Sequence, residues 1–248
     1  MNVYGLIGNP LVHSFSKKYF TEKFEKKNLD DCRFELYPLE AISEFPDLVE
    51  HVKDLQGLAV TIPYKESVIA FLDEVQEDAK KIGAVNCIKI TANKLTGYNT
   101  DHIGFERSLK PLLQLHHRKA LVLGSGGSSK AVQYVLDKLN ISFLVVTRNN
   151  IPANGFINYD TIDERIMYEY PLIINCTPVG MFPNDAEQPP LPYHFLNKKN
   201  LLFDLVYRPA ETRFLLSGKE SGATVKNGFE MLLIQAEENW RIWNGGAV

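Results

Sequence analysis

Short apolar segments alternate with amphipathic ones over the first hundred residues, and the two periods predict strands and helices in turn. Strand-like patterns are predicted at 3–7, 33–39, 57–62, 84–90 and 98–99. Helical patterns lie between them, the first with Ser16 as its N-cap and the others at 47–53, 64–72 and 74–82. Residues 93–97 have the composition of a turn. We therefore predict that this part of the chain forms an α/β unit of its own.

A glycine-rich turn separates two apolar runs in the middle of the chain. The first run, 120–123, ends at the sequence GSGGSS, a helical pattern follows, and the second run occupies 143–146. Strand, turn, helix and strand in this order form the opening unit of a dinucleotide-binding sheet. A glycine turn alone is also typical of an ordinary loop, but the flanking elements favour a nucleotide site here.

Three small residues of this turn have separate roles in such a site. Gly124 permits the sharp turn, Gly126 lets the backbone approach a pyrophosphate, and Ser129 stands where Gly or Ala usually keeps helix and strand close. The N–H groups that begin the helix would face the phosphates, and the helix dipole favours negative charge there. The turn is therefore predicted to bind a pyrophosphate.

The tip of the second strand indicates which nucleotide is bound. Enzymes that prefer NAD usually place Asp or Glu there to bind the ribose 2′-hydroxyl, whereas an arginine suits a 2′-phosphate. Thr147, Arg148 and Asn149 occupy this tip, without an acidic side chain. Because a guanidinium matches phosphate geometry, we predict NADP, although Arg148 alone is also compatible with an ordinary surface charge.

The chain after the turn continues the alternation and ends in one long helix. Further strands are predicted at 172–176, 201–207 and 224–226, whereas 150–160 shows no regular pattern. In the helix at 228–244, one side is apolar and comprises Phe229, Leu232, Leu233, Ala236, Trp240 and Trp243. Gly228, Met231 and Gln235 lie off that stripe. Gln235, a polar residue on a separate face, is therefore a candidate for contacting a ligand.

Composition narrows the classes of function. The 248 residues are 45% hydrophobic, which is enough for one large or two modest domains. A net charge of −3 without a basic stripe argues against nucleic-acid or membrane-surface binding. No apolar run approaches membrane-spanning length and the N-terminus has no signal pattern, so a cytoplasmic protein is expected. The cysteines, odd in number and far apart, favour free buried thiols over a disulfide or a metal site: Cys32, Cys87 and Cys176.

Several polar clusters stand at the ends of the predicted strands, which in α/β sheets border the crevice where ligands bind. Taken singly, each residue has an ordinary structural explanation. Ser16 is a possible helix cap, Lys65 a surface lysine, Asn86 a turn former and Asp101 the N-cap of its helix. Their occurrence together, in the segments GNPLVHSFS, AVTIPYK, GAVN and GYNTD, favours a shared ligand site.

The order of these segments ahead of GSGGSSKA resembles the shikimate dehydrogenase family. The resemblance continues through NCTPVGM, DLVYRPAET and NGFEMLLIQA, so it covers essentially the whole chain. It implies an α/β fold, with an N-terminal α/β substrate domain, a Rossmann-like NADP-binding domain and a C-terminal helix that returns to the substrate domain. The implied boundaries are residues 1–102 with 228–248 for substrate binding and catalysis, and residues 103–227 for NADP binding.

The resemblance also implies roles for individual residues. Lys65 and Asp101 match the family's catalytic pair, and we expect Lys65 to exchange a proton with the ketone or alcohol oxygen while Asp101 positions it. The remaining substrate ligands would hold the carboxylate or the ring hydroxyls: Ser14, Ser16 and Tyr207 for the carboxylate, and Thr61, Asn86 and Gln235 for the hydroxyls or the carboxylate's surroundings. No metal ion is expected.

On the cofactor side, the resemblance implies that the glycine turn holds the pyrophosphate. The backbone of this turn is formed by Gly124, Ser125, Gly126, Gly127 and Ser128. Thr147 and Arg148 would take the adenosine phosphate, and Gly228 and Met231 would lie near the nicotinamide.

The chain departs from the family pattern mainly near its first helix. Lys17 replaces a proline, and Tyr19 with Phe20 replaces a histidine–asparagine pair. Ala59 stands where asparagine is usual, and His102 where a small residue is frequent. None of these positions carries a predicted catalytic group.

The implied reaction is the reversible, NADPH-dependent reduction of 3-dehydroshikimate to shikimate, on the route through chorismate to aromatic amino acids. One alternative is a quinate/shikimate dehydrogenase of relaxed specificity, often using NAD, and another is a non-catalytic nucleotide-binding regulatory relative. Lys65 and Asp101 argue against the second, and Arg148 without a neighbouring acid argues against NAD. A methyltransferase fits less well, since it usually has an acid at the second strand tip. The expected partner is a small-molecule substrate, bound by a monomer or homodimer.

Overall fold

The computed structural model describes residues 1–11, 14–149 and 153–245, and these form two compact units. The first unit comprises Met1–Thr100 with Gln235–Val248, and the second comprises Asp101–Ile234. The sequence placed the divisions after residues 102 and 227, whereas the observed ones lie two residues earlier and seven residues later, after residues 100 and 234. Which ligand each unit binds stays a prediction at this stage.

The first unit is built on a mixed six-stranded sheet. Its helices and strands in chain order are β1 Asn2–Gly8, α1 Phe15–Lys26, β2 Cys32–Pro38, α2 Phe45–His51, β3 Leu55–Val60, β4 Glu74–Val75, α3 Glu77–Ile82, β5 Cys87–Thr91 and β6 Lys94–Tyr98. The strand order is β2-β1-β3-β5-β6-β4. β1 runs parallel to β2 and β3, whereas β5 runs antiparallel to β3 and β6.

The second unit is built on a parallel six-stranded sheet. Its helices and strands in chain order are α4 Asp101–Leu109, β7 Lys119–Leu123, α5 Gly127–Lys138, β8 Ser142–Thr147, β9 Phe156–Asn158, α6 Glu164–Glu169, β10 Leu172–Asn175, β11 Leu201–Asp204, α7 Arg213–Glu220 and β12 Thr224–Lys226. The last helix, α8 Phe229–Trp243, begins in this unit and continues into the first unit from Gln235 onward. The strand order is β12-β11-β10-β7-β8-β9, with every pairing parallel. This is the doubly wound order of dinucleotide-binding folds, and it confirms the predicted Rossmann-like α/β class.

Helices cover both faces of each sheet. In β1 successive side chains point to opposite faces, so Val3 and Ile7 join one core while Tyr4 and Leu6 join the other. The last part of α8, with Trp243, packs into the second of these cores. In the second unit, strand residues such as Leu121 and Val122 are likewise fully buried on opposite sides. The near-continuous apolar runs in the sequence reflect this two-sided burial.

Four local predictions are wrong. The helix predicted at 64–72 is a short 3-10 helix, Ser67–Phe71. The Lys65 carbonyl accepts a hydrogen bond from Val85 N at 2.7 Å and is therefore not available to the backbone of an α-helix. The turn predicted at 93–97 is only two residues long, and β6 resumes directly after it. The predicted helix 74–82 begins with the short strand β4 before α3. Ser16 is the second residue of α1 instead of its cap, which is Ser14.

The cysteines and the lengths of the helices can be compared with what the composition predicted. Cys32, Cys87 and Cys176 are free thiols, of which only Cys87 is fully buried. In the described parts of the chain, none of the helices combines the length and the apolar character needed to cross a membrane. Residues 150–152, which begin the segment without a predicted pattern, lie outside the described residues, and β9 follows them.

Candidate active site

The start of α1 presents a buried hydroxyl group. Ser14 has an extended backbone and makes no side-chain cap bond to the helix. Its Oγ is buried and, within residues 1–11, 14–149 and 153–245, has no hydrogen-bond partner. Leaving such a group unsatisfied costs about 1–3 kcal/mol. A ligand that accepts a hydrogen bond at Ser14 therefore fits, and the half-buried Ser16 lies two residues further along the chain.

Thr61 and Lys65 lie in the turn that follows β3. Thr61 N donates to Ile7 O at 2.9 Å, and Thr61 O accepts from Tyr64 N at 3.0 Å. Lys65 is half-buried, and its carbonyl is bound by the backbone just before β5. These bonds fix the backbone of the turn independently of any helix. The Lys65 side chain is thus carried by a backbone with a defined position.

Asn86 belongs to a buried polar network of the first unit. Its Oδ1 accepts from Thr100 N at 2.6 Å, and its Nδ2 donates to Thr100 Oγ1 at 3.0 Å. Thr100 Oγ1 lies 2.6 Å from Asn239 Oδ1, and Asn239 Nδ2 lies 3.3 Å from Gln235 Oε1. Asn86 Nδ2 also approaches Gln235 Oε1, at 3.4 Å. Two predicted substrate ligands, Asn86 and Gln235, are therefore brought together by two residues that the sequence did not single out.

The glycine turn of the second unit has space for a phosphate group. Gly124 has φ +99°, which favours glycine, and a Cβ there would lie 3.0 Å from the Thr177 methyl group. Gly126 has an ordinary φ of −78°, and a Cβ there would meet no atom of the described residues within 4 Å. Gly126 is the N-cap of α5 and has no side chain with which to cap the helix. The first N–H groups of a helix lack intrahelical partners and favour an anion. These features fit a pyrophosphate.

Ser129 closes the turn onto the helix that follows. Its Oγ is buried, donates to Gly124 O at 2.6 Å and accepts from Gln133 Nε2 at 3.0 Å. The hydroxyl thus bonds the helix to the turn, in addition to the small size that the sequence indicated for this position. Ser125 and Gly126 are exposed, and Gly127 and Ser128 are half-buried.

At the tip of β8, Thr147 and Arg148 differ in their environment. Thr147 is buried, and its Oγ1 donates to Asn149 O at 2.6 Å, which shapes the loop that carries Arg148. Arg148 is exposed. Nearby, burial raises the pKa of Tyr159 to about 12, and the Arg148 charge acts in the opposite direction. The tip therefore combines an accessible guanidinium with a neutral phenol.

A buried carboxylate, Asp204, supports the glycine turn from the neighbouring strands. Asp204 Oδ1 accepts from Asn175 Nδ2 and Val206 N, both at 3.0 Å, and its Oδ2 accepts from Thr212 Oγ1 at 2.6 Å. Asn175 Oδ1 in turn accepts from Thr177 N and Oγ1, at 3.0 and 2.6 Å. Burial raises the pKa of Asp204 to about 6, although its three hydrogen bonds act against that rise.

The remaining predicted residues lie in the second unit. Asp101 is buried and is the first residue of α4. Met231 is buried in the core of this unit, and its carbonyl lies against Gly104 of α4. A Cβ on Gly228 would come within 2.2 Å of Leu205 O, so only glycine fits there. Tyr207 is half-buried after β11. The pairing of Asp101 with Lys65, and of Tyr207 with the serines, stays a prediction.

Within the three described ranges, no three His, Cys, Asp or Glu side chains are grouped as metal ligands would be.

Comparison with known proteins identifies the family. A model described as the shikimate dehydrogenase substrate binding domain matches residues 6–88. The shikimate dehydrogenase (NADP(+)) of Clostridium beijerinckii is 38% identical over 97% of this chain and 92% of its own. The chain belongs to the shikimate dehydrogenase family.

Solved structures of family members have the same fold. A shikimate 5-dehydrogenase from Thermus thermophilus, in complex with NADP(H) and shikimate, has a TM-score of 0.87 and 31% identity, covering 99% of this chain and 94% of its own. A chorismate mutase/shikimate 5-dehydrogenase fusion protein from Clostridium acetobutylicum has a TM-score of 0.86 and 37% identity, covering 100% of this chain and 92% of its own.

This shikimate dehydrogenase family member has a charged cluster where its first helix departs from the family pattern. Lys23 Nζ donates to both carboxylate oxygens of Glu237, at 2.6 and 2.5 Å, and Tyr19 OH donates to the same carboxylate. Lys23 is buried, and its Nζ lies 5.8 Å from the Tyr19 and Trp240 ring centroids. The cluster therefore joins α1 to α8 within the first unit.

Proposed function

We propose that the protein is an NADP-dependent shikimate dehydrogenase, which reversibly reduces 3-dehydroshikimate to shikimate in chorismate and aromatic amino acid biosynthesis. The name of the relative from Clostridium beijerinckii supports this activity. The observation in the structure that carries the proposal is the buried Ser14 hydroxyl, which has no partner among the described residues. A donor of this kind suits the carboxylate of the substrate.

Substrate selection follows from the polar groups of the site. Ser14, Ser16 and Tyr207 donate to the carboxylate, and Thr61, Asn86 and Gln235 bind ring hydroxyls or the carboxylate's surroundings. A site made of such groups rejects an analogue that lacks a hydroxyl, because the site's own polar atoms would then lose their partners. The buried network around Asn86 supports this role, since it fixes side chains that would otherwise adopt several rotamers.

Reduction of a ring ketone needs a hydride at carbon and a proton at oxygen. Bound NADPH supplies the hydride. Lys65 donates the proton to the ketone oxygen in reduction and takes it from the alcohol in oxidation, with Asp101 as the carboxylate that positions it. The backbone bond between Lys65 and Val85 supports this assignment, since it holds the base of a long, flexible side chain in place.

The cofactor ligands are proposed from the same reasoning. The backbone of Gly124, Ser125, Gly126, Gly127 and Ser128 holds the pyrophosphate. Arg148 and Thr147 bind the adenosine phosphate, and Gly228 and Met231 border the nicotinamide. The open space at Gly126 and the exposed guanidinium of Arg148 support these roles.

A direct assay tests the activity. The purified protein is mixed with shikimate or quinate and with NADP⁺ or NAD⁺, and reduced nicotinamide is followed by its absorbance. We expect shikimate with NADP⁺ to give the highest kcat/KM. Faster turnover of quinate, or a preference for NAD⁺, would support the relative of relaxed specificity, and cofactor binding without turnover would support a regulatory protein.

Two substitutions test the assigned residues. Lys65→Ala should lower kcat about 10²- to 10⁴-fold, the range for losing a general acid–base group, while Lys81→Ala, at an exposed lysine of α3, serves as control. Near-normal kcat at saturating shikimate in Lys65→Ala contradicts the assignment. Arg148→Ala should raise the KM for NADP⁺ about 10-fold or more and leave that for NAD⁺ unchanged.

The cytoplasmic location and the monomeric or homodimeric state are proposed alongside this function. Cell fractionation and light scattering of the purified enzyme check them.

A further inference from the structure

The side-chain amide of Gln235 can be oriented in two ways, and the buried network around it decides between them. The Thr100 backbone N–H lies 2.6 Å from the Asn86 side-chain amide. A backbone N–H only donates, so the atom of Asn86 that faces it must be the carbonyl oxygen. Asn86 Nδ2 therefore faces Thr100 Oγ1, at 3.0 Å.

Thr100 also fixes the orientation of the Asn239 amide. Thr100 Oγ1 accepts from Asn86, so its own proton is available for its nearest acceptor, Asn239 Oδ1 at 2.6 Å. The opposite end of the Asn239 amide is then an NH₂ group, which lies 3.3 Å from Gln235. Asn86 Nδ2 approaches the same atom of Gln235 at 3.4 Å. Two donors converge on this atom, and it must be the oxygen, Oε1.

Gln235 Nε2 is consequently left as the outward group of the amide. It makes no hydrogen bond to a residue in the described part of the chain, whereas Oε1 has two donors. The residues that impose this orientation are exposed by only 3% at Asn86, 0% at Thr100 and 1% at Asn239. Water has little access to rearrange their hydrogen bonds, so the network has one low-energy arrangement.

We propose that Asn239 is a positioning residue that fixes Gln235 as a hydrogen-bond donor toward the substrate. The substrate atom it meets is an oxygen with a free lone pair, from a hydroxyl or carboxylate group. A substrate that presents only a donor at this position is rejected. This inference rests on the proposed function for the identity of the substrate, shikimate, but not for the orientation of the amide.

Replacing Asn239 by aspartate puts a hydrogen-bond acceptor where Gln235 now meets the donor Asn239 Nδ2. At mildly alkaline pH the new carboxylate only accepts, so Gln235 turns its Nε2 inward and presents Oε1 to the substrate. We expect Asn239→Asp to raise the KM for shikimate about 10- to 100-fold, as for a polar contact turned repulsive. The KM for NADP⁺ stays within about twofold of the wild-type value, since the nucleotide ligands lie elsewhere.

Asn239→Ala is the matched control. It removes the donor without adding an acceptor, and Asn86 continues to donate to Gln235 Oε1. We expect a rise in the KM for shikimate of about threefold or less, below that of Asn239→Asp. If Asn239 only fills space, the alanine variant has the larger effect, and that result overturns the proposal.

Gln235→Glu gives a second route if Asn239→Asp does not fold. Its inner oxygen keeps the bonds from Asn239 and Asn86, while an oxygen replaces the outward donor. We expect an unchanged midpoint of urea unfolding with a KM for shikimate raised about 10-fold or more. Loss of stability with an unchanged KM means that the amide has the opposite orientation, and overturns the proposal.

Side-chain amide hydrogen exchange, followed by ¹⁵N NMR without substrate, reads the orientation directly. The NH₂ hydrogens of Asn239 should exchange slowly and those of Gln235 fast. Slow exchange at Gln235 in the wild-type enzyme contradicts the inference whatever the enzyme's activity. Absence of shikimate turnover with fast exchange at Gln235 instead refutes the proposed function and leaves the orientation intact.

Discussion

Replacing the buried carboxylate Asp204 with asparagine should change how the free energy of unfolding depends on pH. Burial raises the pKa of Asp204 from 3.8 to about 6. A folded-state pKa above the unfolded value means that the native protein holds this proton more tightly. The stabilising contribution is therefore complete below about pH 4 and is lost as the pH rises through about 6. Two pH units at about 1.4 kcal/mol each give a loss of about 3 kcal/mol.

An asparagine side chain does not titrate, so Asp204→Asn isolates this effect. The oxygen of the new amide still accepts from Asn175 and Val206, and its NH₂ group faces Thr212, as the protonated acid would. The charge of Asp204 also contributes, after burial, to the raised pKa of Cys176 and of Tyr193, but both remain neutral throughout the acid range.

Urea unfolding of both proteins at several pH values, from about 4 to about 8, measures the difference. The wild-type free energy of unfolding minus that of Asp204→Asn should fall by about 3 kcal/mol across this range and level off above about pH 7. All other titrating groups are shared and cancel in the difference. A difference that stays constant within about 0.5 kcal/mol would refute the reasoning, since Asp204 would then ionise as an exposed aspartate does.

Three further predictions concern the turn, the helix cluster and an acid-sensitive histidine. Gly126→Ala should change the free energy of unfolding by less than about 1 kcal/mol, because its φ is ordinary and the added methyl group meets no described atom. Gly126→Ala should nevertheless raise the KM for NADP⁺ about 10-fold or more. Gly124→Ala, at φ +99°, should instead lower the free energy of unfolding by about 1–3 kcal/mol. Urea denaturation and steady-state kinetics of the two variants check this, and equal losses of stability would contradict it. A double-mutant cycle with Lys23→Met and Glu237→Gln should give a coupling of about 1 kcal/mol, because Lys23 is buried and contacts both carboxylate oxygens; a coupling near zero is the opposing result. Burial lowers the pKa of His117, so the wild-type protein should lose stability as the pH falls below about 6.5, and His117→Gln should lose less in thermal unfolding at the same pH values.

The parallel sheet and its turn were predictable because their signals are local. Strands buried on both faces appear as continuous apolar runs, as at 120–123 and 143–146, and helices between such runs enforce parallel pairing. Gly124 and Gly126 follow the first run directly, so the position of the turn needs no tertiary information. The segments AVTIPYK, with Lys65, and GYNTD, with Asp101, were recognisable for the same reason, since each is a short continuous stretch of sequence.

The local environment of Lys65 was not predictable, because a distant residue decides it. The pattern at 64–72 suits a helix, but the Lys65 carbonyl is taken by Val85, twenty residues away in the chain and adjacent in the fold. The position of the turn between β5 and β6 was also mispredicted, since the sequence placed it at 93–97 and β6 begins at Lys94. The two turn residues, Ala92 and Asn93, both adopt positive φ, and their sequence lacks the glycine that usually marks such a turn.

Asn239 was missed for a related reason. On a helical wheel it adjoins the apolar stripe of α8, where a single polar residue suggests only a solvent-facing side. Asn239 can be buried because its Oδ1 accepts a hydrogen bond from Thr100, which lies 139 residues earlier in the chain. Sequence periodicity reports which face of a helix is buried, but not which distant hydroxyl satisfies a polar residue on that face.

The discontinuous first unit has a consequence for synthesis on the ribosome. Trp243 fills the surface next to Gly57, where even a Cβ would come within 2.3 Å of the indole, and its Nε1 donates to Ile88 O at 3.0 Å. Until Trp243 is translated, the aromatic cluster around Tyr4 and Phe20 lacks this indole. A nascent chain halted before residue 235 should therefore expose its first hundred residues to proteases and chaperones, although the parallel sheet made after them has all its strands.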